Sequence, residues 1–198
     1  MAGKTLGLKA ERSRQALIDV AIVRYARDGL RGSSIAAIAR DAGVSRTLAY
    51  AYFADGADLF RSALNQDAAG LIDEVLTPLI TEQFDDLSWR EGAIRDLVEG
   101  LDRYPLARRV MGGLEPDATA ELLAIPALEA LRRQIGDRIA EGKEAGLVHV
   151  DVDAALMGRG IVTIWITVLM AAVQFGLNGL EKELLSVRAI VESAVLRR

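Results

Sequence analysis

The chain has 198 residues, which is enough for one sizeable hydrophobic core or for a small module attached to a larger one. It has no cysteine and a single histidine, so the sequence excludes a disulfide framework, a thiolate zinc site and a multi-histidine metal centre. The net charge is -4, but residues 1–60 carry nine lysines and arginines against six acids, so this segment does not exclude an anionic partner.

Apolar residues recur at spacings of three and four along the whole chain, without a sustained alternation of apolar and polar residues. We therefore predict an all-α fold.

The first residues lack the apolar run of a secretory signal, and we expect a cytoplasmic protein. The first helix is predicted from Arg12 to Asp28, with Gly29 ending it as a C-terminal cap.

A second, short helix follows Ser33 and Ser34, whose hydroxyl groups suit a helix N-cap. The residues of this helix that we expect to face inward are Ile35, Ile38 and Ala39. A turn at residues 41–44 contains a glycine, and a third helix is predicted from the cap residue Ser45 to about Phe53. Two short helices joined in this way are typical of a helix-turn-helix module, whose second helix enters the major groove of DNA.

Six further helices are predicted, separated by breaks that contain glycine or proline. They span residues 57–77, 89–101, 105–112, 126–145, 152–175 and 181–196. The first of them would connect the helix-turn-helix module to the rest of the chain without a flexible linker.

Residues 33–53, SSIAAIARDAGVSRTLAYAYF, closely resemble the signature of the TetR family of transcriptional regulators. The likeness includes the capped entry, the IA pair, the AGVS turn and the Tyr-x-Tyr-Phe ending, and it extends over about residues 12–62. The resemblance implies a DNA-binding domain at residues 1–56 and a ligand-binding and dimerisation domain at residues 57–198. Its expected partners are double-stranded operator DNA, a small-molecule effector and a second copy of the chain, without a cofactor.

The third helix carries the residues that we expect to contact DNA. Arg46 can bind guanine O6 and N7 in a bidentate pair, and Thr47 can add a hydroxyl or methyl contact. Tyr50 and Tyr52 resemble the phosphate-contacting aromatic residues of the family. The alternative is that these tyrosines and Phe53 fill the core of a three-helix module, and that Arg46 is only a solvated charge.

Further phosphate contacts are expected from Ser34 and Ser45, through their hydroxyl groups and the helix N-terminal amides beside them. The basic residues before and within the first helix can follow the DNA backbone or enter the minor groove. They are Lys4, Lys9, Arg12 and Arg14.

This sequence departs from the family at Thr47-Leu48-Ala49, where Gly-Thr-Leu is usual, and at Gly56, where a phosphate-binding lysine is usual.

The longest apolar stretch covers residues 160–173 and is shorter than the 18 or so residues of a membrane-spanning helix. We interpret it as a buried helix that also meets a second subunit, and the amphipathic stretch after it suits a four-helix bundle between subunits. The predicted dimer interface consists of Ile164, Val168, Leu169, Leu184, Leu185 and Val191.

The body is mostly apolar with few convergent polar groups, which favours a hydrophobic or aromatic effector over a sugar or nucleotide. The predicted pocket residues are Trp89, Leu97, Tyr104, Met111, Trp165 and Met170. The alternative is that these side chains fill an ordinary core.

Catalytic and metal-binding interpretations have little support, since the sequence has no phosphate loop, zinc-protease or nucleophile-elbow motif. We interpret Asp85, Asp86, Asp151 and Asp153 as loop or helix-capping residues and His149 as a surface residue. Two alternatives stay open. One is a small-molecule-binding protein or enzyme whose first helices only resemble a DNA reader, and the other is a DNA-binding factor without a ligand.

Overall fold

The computed structural model describes residues 2–77, 98–149 and 151–176, and the separate positions 182, 186, 187, 189, 190 and 193. Every element in this part of the chain is helical, which confirms the predicted all-α fold. The chain forms two compact units. The first comprises Met1–Ala68 with Tyr104–Leu122, and the second comprises Ala69–Arg103 with Leu123–Arg198. The predicted domain boundary at residue 56 lies inside the first unit, which also contains residues 104–122.

The first unit is built from six helices and one short 3-10 turn. They are α1 (Ala2–Gly32), α2 (Ile35–Asp41), α3 (Arg46–Tyr52), α4 (Gly56–Leu71, whose last three residues lie in the second unit), α5 (Pro105–Met111), the 3-10 turn Pro116–Ala118 and α6 (Thr119–Leu122). Helix α1 begins ten residues before the predicted start at Arg12. Gly29 interrupts its helical dihedral angles with a φ of 75°, as expected for a glycine that ends a helix.

The geometry of α2 and α3 follows from their caps. Ile35, Ile38 and Ala39 are the buried residues of α2, which confirms the predicted inward face. Gly43 has a φ of 67°, a conformation that L-residues with a side chain rarely adopt. Its amide donates to Arg40 O at 3.2 Å, and the amide of Val44 donates to Ala39 O at 2.9 Å. This pair of bonds is a Schellman motif, and it turns the chain sharply from α2 into α3.

The core of the first unit forms around Tyr25 of α1, which has no exposed surface. Its ring meets Phe60 of α4 edge to face, with centroids 5.2 Å apart. Its hydroxyl donates to Gly56 O at 3.1 Å, and burial raises the pKa of this phenol, so it stays a donor. The tyrosine thus fixes the start of α4 against α1. Other fully buried side chains of this core are Leu17, Ile38, Leu59, Leu64 and Leu106.

The second unit contains a π-helical turn that continues α4, a 3-10 turn and two long helices. They are Ile72–Leu76, Leu101–Arg103, α7 (Pro126–Glu144) and α8 (Ala154–Phe175). Helices α7 and α8 cross at two glycines, and a Cβ on Gly158 would lie 2.7 Å from the backbone nitrogen of Gly136. The side chain of Asp153 accepts from the amide of Leu156, so it caps α8 as predicted.

Helix α8 has 22 residues and starts two residues after the predicted start at residue 152, with the predicted end at residue 175. With a mean hydropathy of 1.9 it is long and apolar enough to cross a membrane, and a third of its apolar window is buried in the chain. Such a helix alone is weak evidence for a membrane, because a core helix of a soluble protein has the same length and composition. Of the other predicted helices, residues 89–97 and ten of the sixteen residues 181–196 lie outside the described part.

Candidate nucleic-acid interface

Helix α3 presents most of its surface to solvent. Ala49 is its one buried residue, and Phe53, which follows the helix, is 1% exposed. These two residues anchor α3 on the first unit. The residues of this segment that are exposed are Ser45, Arg46, Thr47, Leu48, Tyr50 and Ala51. The helix therefore has the arrangement that docking in a major groove requires, with one side packed on the unit and the rest open.

Arg46 and Tyr50 lie one turn apart on α3 and contact each other. The guanidinium carbon of Arg46 is 5.5 Å from the centre of the Tyr50 ring, which is a cation–π distance. Tyr50 is 46% exposed, so its ring is not a core aromatic. The contact limits the orientations of the Arg46 side chain at the surface, and an oriented guanidinium loses less entropy when it binds a base.

The predicted phosphate contacts Ser34 and Ser45 are the N-caps of α2 and α3. The Oγ of Ser34 accepts from the amide of Ala37 at 3.3 Å, and the Oγ of Ser45 accepts from the amide of Leu48 at 3.2 Å. Both residues are exposed, and each hydroxyl keeps its proton for another acceptor. Capping and phosphate contact are therefore compatible at both positions.

The predicted basic residues Lys9 and Arg14 are exposed on α1. The guanidinium of Arg14 lies 5.4 Å from the centre of the Phe53 ring, directly after α3. Tyr52 is half-buried, and its ring stands 6.4 Å from Phe53. Phe53 therefore brings Arg14 and Tyr52 to the same end of α3, a proximity that the sequence separation of these residues does not indicate.

The start of α4 differs from the usual family pattern in charge as well as in the missing lysine. Gly56 begins the helix, and Asp55 Oδ1 accepts from the amide of Asp58 at 2.8 Å. Asp58 Oδ2 in turn accepts from the amide of Ala54 at 3.0 Å. Asp55 thus satisfies an amide in the first turn of α4, and Asp58 satisfies an amide just before the helix. Where a lysine is usual, this chain has a neutral residue beside two acids.

The segment Tyr104–Leu122 is held in the first unit by buried and half-buried polar contacts. Oδ2 of Asp67 in α4 accepts from the amides of Leu106 and Ala107 at 2.9 and 2.8 Å, which caps the N-terminus of α5. Arg109 of α5 donates to Ala26 O, one of the last carbonyls before the break at Gly29. Asp67 lies 39 residues from Leu106 in sequence, and sequence analysis missed this cap.

The ion pair between Arg109 and Glu115 covers the break in α1 at Gly29. Arg109 Nε donates to Glu115 Oε1 at 2.9 Å, and the same oxygen accepts from the amide of Leu30 at 3.3 Å. A Cβ on Gly29 would collide with this carboxylate oxygen. The φ of Gly29 disfavours any residue with a side chain, and a Cβ there would in addition displace the Glu115 carboxylate.

The predicted pocket residues fall in both units. Tyr104 and Met111 are buried in the first unit, and Trp165 and Met170 are half-buried on α8 in the second. Trp89 and Leu97 lie outside the described residues. A cavity of about 210 Å³ does occur in the first unit, between the end of α1 and the start of α2, but it is lined by none of these residues. The pocket stays a prediction.

The predicted interface residues of α8 differ in exposure. Ile164 and Val168 are half-buried, whereas Leu169 is 2% exposed and belongs to the core of its own chain. A substitution at Leu169 would therefore test folding before it tests association. The predicted interface residues that lie outside the described part are Leu184, Leu185 and Val191.

Among the described residues, no group of three histidines or acids is placed to hold a metal ion.

Comparisons with known proteins agree with this geometry. Residues 17–63 match the family model of bacterial regulatory proteins, tetR family. No curated protein matches the chain in sequence.

Solved structures match nearly the whole chain. A TetR-family transcriptional regulator from Pectobacterium atrosepticum has a TM-score of 0.71 at 18% identity, covering 96% of this chain and 97% of its own. One from Mesorhizobium loti has a TM-score of 0.63 at 21% identity, with coverages of 93% and 95%. SmeT, the repressor of the Stenotrophomonas maltophilia multidrug efflux pump SmeDEF, has a TM-score of 0.60 at 15% identity, with coverages of 93% and 90%. SmeT is also known as a complex with triclosan. Residues 17–63 are thus similar to the DNA-binding domain of the tetR family, and the chain shares the all-helical fold of solved TetR-family regulators.

Proposed function

We propose that this chain is a cytoplasmic transcriptional repressor that binds a palindromic operator as a homodimer and is released by a small, mostly hydrophobic effector. It has no enzymatic role in this proposal. The observation that carries the proposal is the exposed side of α3, where Arg46 is held against Tyr50 at the centre of the family's DNA-binding domain. Arg46 supplies a donor pair for guanine, and the caps Ser34 and Ser45 lie on the same module.

The exposed apolar surface of α8, in the second unit, supports a dimer. Leu156 and Phe175, near the two ends of α8, are 68% and 78% exposed. Between them Ile164 and Val168 keep part of their surface open, so within the described part of the chain much of this apolar helix is uncovered. Association of two copies removes that surface from water. A twofold dimer also presents two copies of α3 to the half-sites of a palindrome.

The DNA-binding proposal predicts different results for two variants of α3. We expect Arg46→Ala to relax base preference at one position of each half-site, at a cost of about 1 to 3 kcal/mol, because a bidentate guanine contact is lost. Tyr50→Phe keeps the ring that supports Arg46 and removes only the hydroxyl. We therefore expect it to weaken binding to all sequences alike, as the loss of a phosphate contact does.

The measurement is selection of bound sequences from random double-stranded DNA, followed by affinity measurements on the enriched site. Arg133→Ala, which removes an exposed arginine of α7 in the second unit, is the matched control and should bind as the unaltered protein does. Equal losses for Arg46→Ala on every sequence would contradict its role in base reading. Failure to enrich a palindrome would contradict the proposed function itself.

The effector proposal rests on the apolar body and on SmeT, which binds the hydrophobic compound triclosan. Trp165 of α8 is half-buried and can report binding in the second unit. In a Trp89→Phe variant it is the sole tryptophan, since the chain has two. We expect triclosan, as a first hydrophobic probe, to change the Trp165 emission and to lower operator affinity by the factor by which operator lowers triclosan affinity. Stoichiometric binding without any change in operator affinity would exclude triclosan as an inducer.

A further inference from the structure

The side of α3 that points away from the core carries small and apolar residues. A residue two positions from Ala49 along a helix lies about 200° around the axis from it in one direction, or about 160° in the other. Thr47 and Ala51 hold these two positions, opposite the buried anchor, and both are exposed. Leu48 lies beside them and is 38% exposed. We refer to Thr47, Leu48 and Ala51 as the apolar strip.

The apolar strip differs in chemistry from the charged edge of the same helix. Arg46 and Tyr50 contact each other along one flank of α3. The strip itself has no charge, and the Thr47 hydroxyl is its one polar side-chain group. Its short side chains allow the backbone of α3 to approach the floor of a groove closely. Leu48 places a branched apolar side chain where α3 would come close to the floor of the groove.

The major groove offers one apolar group on the base edges, the C5-methyl of thymine. Every other major-groove edge presents hydrogen-bond donors or acceptors, which neither Leu48 nor Ala51 can satisfy. Covering donors and acceptors with alkyl groups would leave them unpaired and cost free energy. A thymine methyl against Leu48 and Ala51 instead removes apolar surface of both partners from water.

We propose that the apolar strip selects thymine at one or two positions of each operator half-site, by contact with its C5-methyl group. This inference rests on the proposed DNA-binding function and names a specificity determinant of that site. Leu48 is two positions from Arg46 and lies about 160° around the axis of α3 from it, so the selected thymine and the guanine that Arg46 reads are separate positions of the half-site.

The test removes the methyl group from the DNA and leaves base pairing intact. In the operator selected from random DNA, each thymine is replaced by deoxyuridine, and affinity is measured by fluorescence anisotropy. One buried methyl group corresponds to about a fourfold change in affinity. We expect this loss at the contacted thymine of one half-site, and about a fifteenfold loss when both half-sites are changed.

Variants of the protein connect the effect to the strip. Leu48→Ala should bind the thymine and uracil operators with nearly equal affinity, and alanine at this exposed helical position preserves α3. Leu123→Ala removes a leucine of matched exposure, 39%, outside α3, and should keep the full effect of uracil. Circular dichroism verifies that both variants are folded.

The outcomes separate this inference from the proposed function. Tight binding of a selected operator that tolerates uracil at every thymine overturns thymine selection by methyl contact and leaves the regulator proposal intact. An undiminished uracil effect in Leu48→Ala overturns the assignment to the apolar strip. A protein that enriches no DNA sequence overturns the proposed function and this inference together.

Discussion

Replacing Gly158 with alanine should destabilise the second unit by about 2 to 3 kcal/mol, because the new methyl group has no space between α7 and α8. A Cβ at this position would lie 2.7 Å from Gly136 N and 2.8 Å from Arg132 O. Both are backbone atoms of a helix, so neither can rotate aside. The two helices would have to separate, and the core residues between them would lose their contacts.

Gly160→Ala is the matched control, since it makes the same chemical change two residues further along α8. Gly160 is exposed, and its Cβ would meet nothing within 4 Å. Alanine should therefore raise stability by about 0.5 to 1 kcal/mol through its higher helix propensity. The measurement is the free energy of unfolding from urea denaturation, with sedimentation equilibrium to separate folding from subunit association. If both variants were equally stable, the close crossing of α7 and α8 would be contradicted.

Local sequence signals were sufficient for most described helices. Ser34, Gly43 and Ser45 act through bonds to residues at most five positions away, so their caps and the turn between α2 and α3 could be predicted. The starts of α5 and α7 coincide with Pro105 and Pro126, because proline suits the first position of a helix. The family resemblance gave the same module, and the family model matches residues 17–63.

Contacts between distant residues could not be predicted in the same way. The capping of α5 by Asp67 crosses 39 residues, and the pair between Leu30 and Glu115 crosses 85. Neither partner has an unusual local pattern, so the placement of Tyr104–Leu122 in the first unit had no sequence signal. The same holds for Gly158, since a glycine inside a helical pattern does not show which backbone lies against it.

The candidate DNA-contacting surface was predictable in part, for similar reasons. Arg46, Thr47 and Tyr50 were assigned to the exposed side of α3, and the structure places all three at the surface. Leu48 was not among the predicted contacts, because a leucine in an amphipathic helix usually faces the core. Its exposure follows from the position of the buried Ala49, and one turn of α3 later Phe53 takes the core position.

The pH dependence of stability should reveal the cap on α5. Asp67 is 6% exposed, and Pro105 precedes the two amides that donate to its carboxylate. Burial raises the pKa of Asp67 from 3.8 to about 6, although the two amide donors act to lower it. Between these values the folded chain holds a proton that the unfolded chain has released. Asp67 therefore contributes stability that is complete below pH 3.8 and is lost as the pH rises through about 6.

We expect Asp67→Asn to remove this dependence, because the amide oxygen can accept from Leu106 and Ala107 and cannot ionise. The free energy of unfolding of the variant relative to the unaltered protein should rise by on the order of 2 to 3 kcal/mol between about pH 4 and pH 7.5. Taking the difference at each pH cancels other acids, such as Asp28, whose pKa Arg27 lowers to about 2. Asp117→Asn removes an exposed carboxylate of the same unit and controls for the loss of one charge. Urea denaturation followed by circular dichroism measures the difference, and a value that stays constant with pH would contradict a buried, proton-linked cap at Asp67.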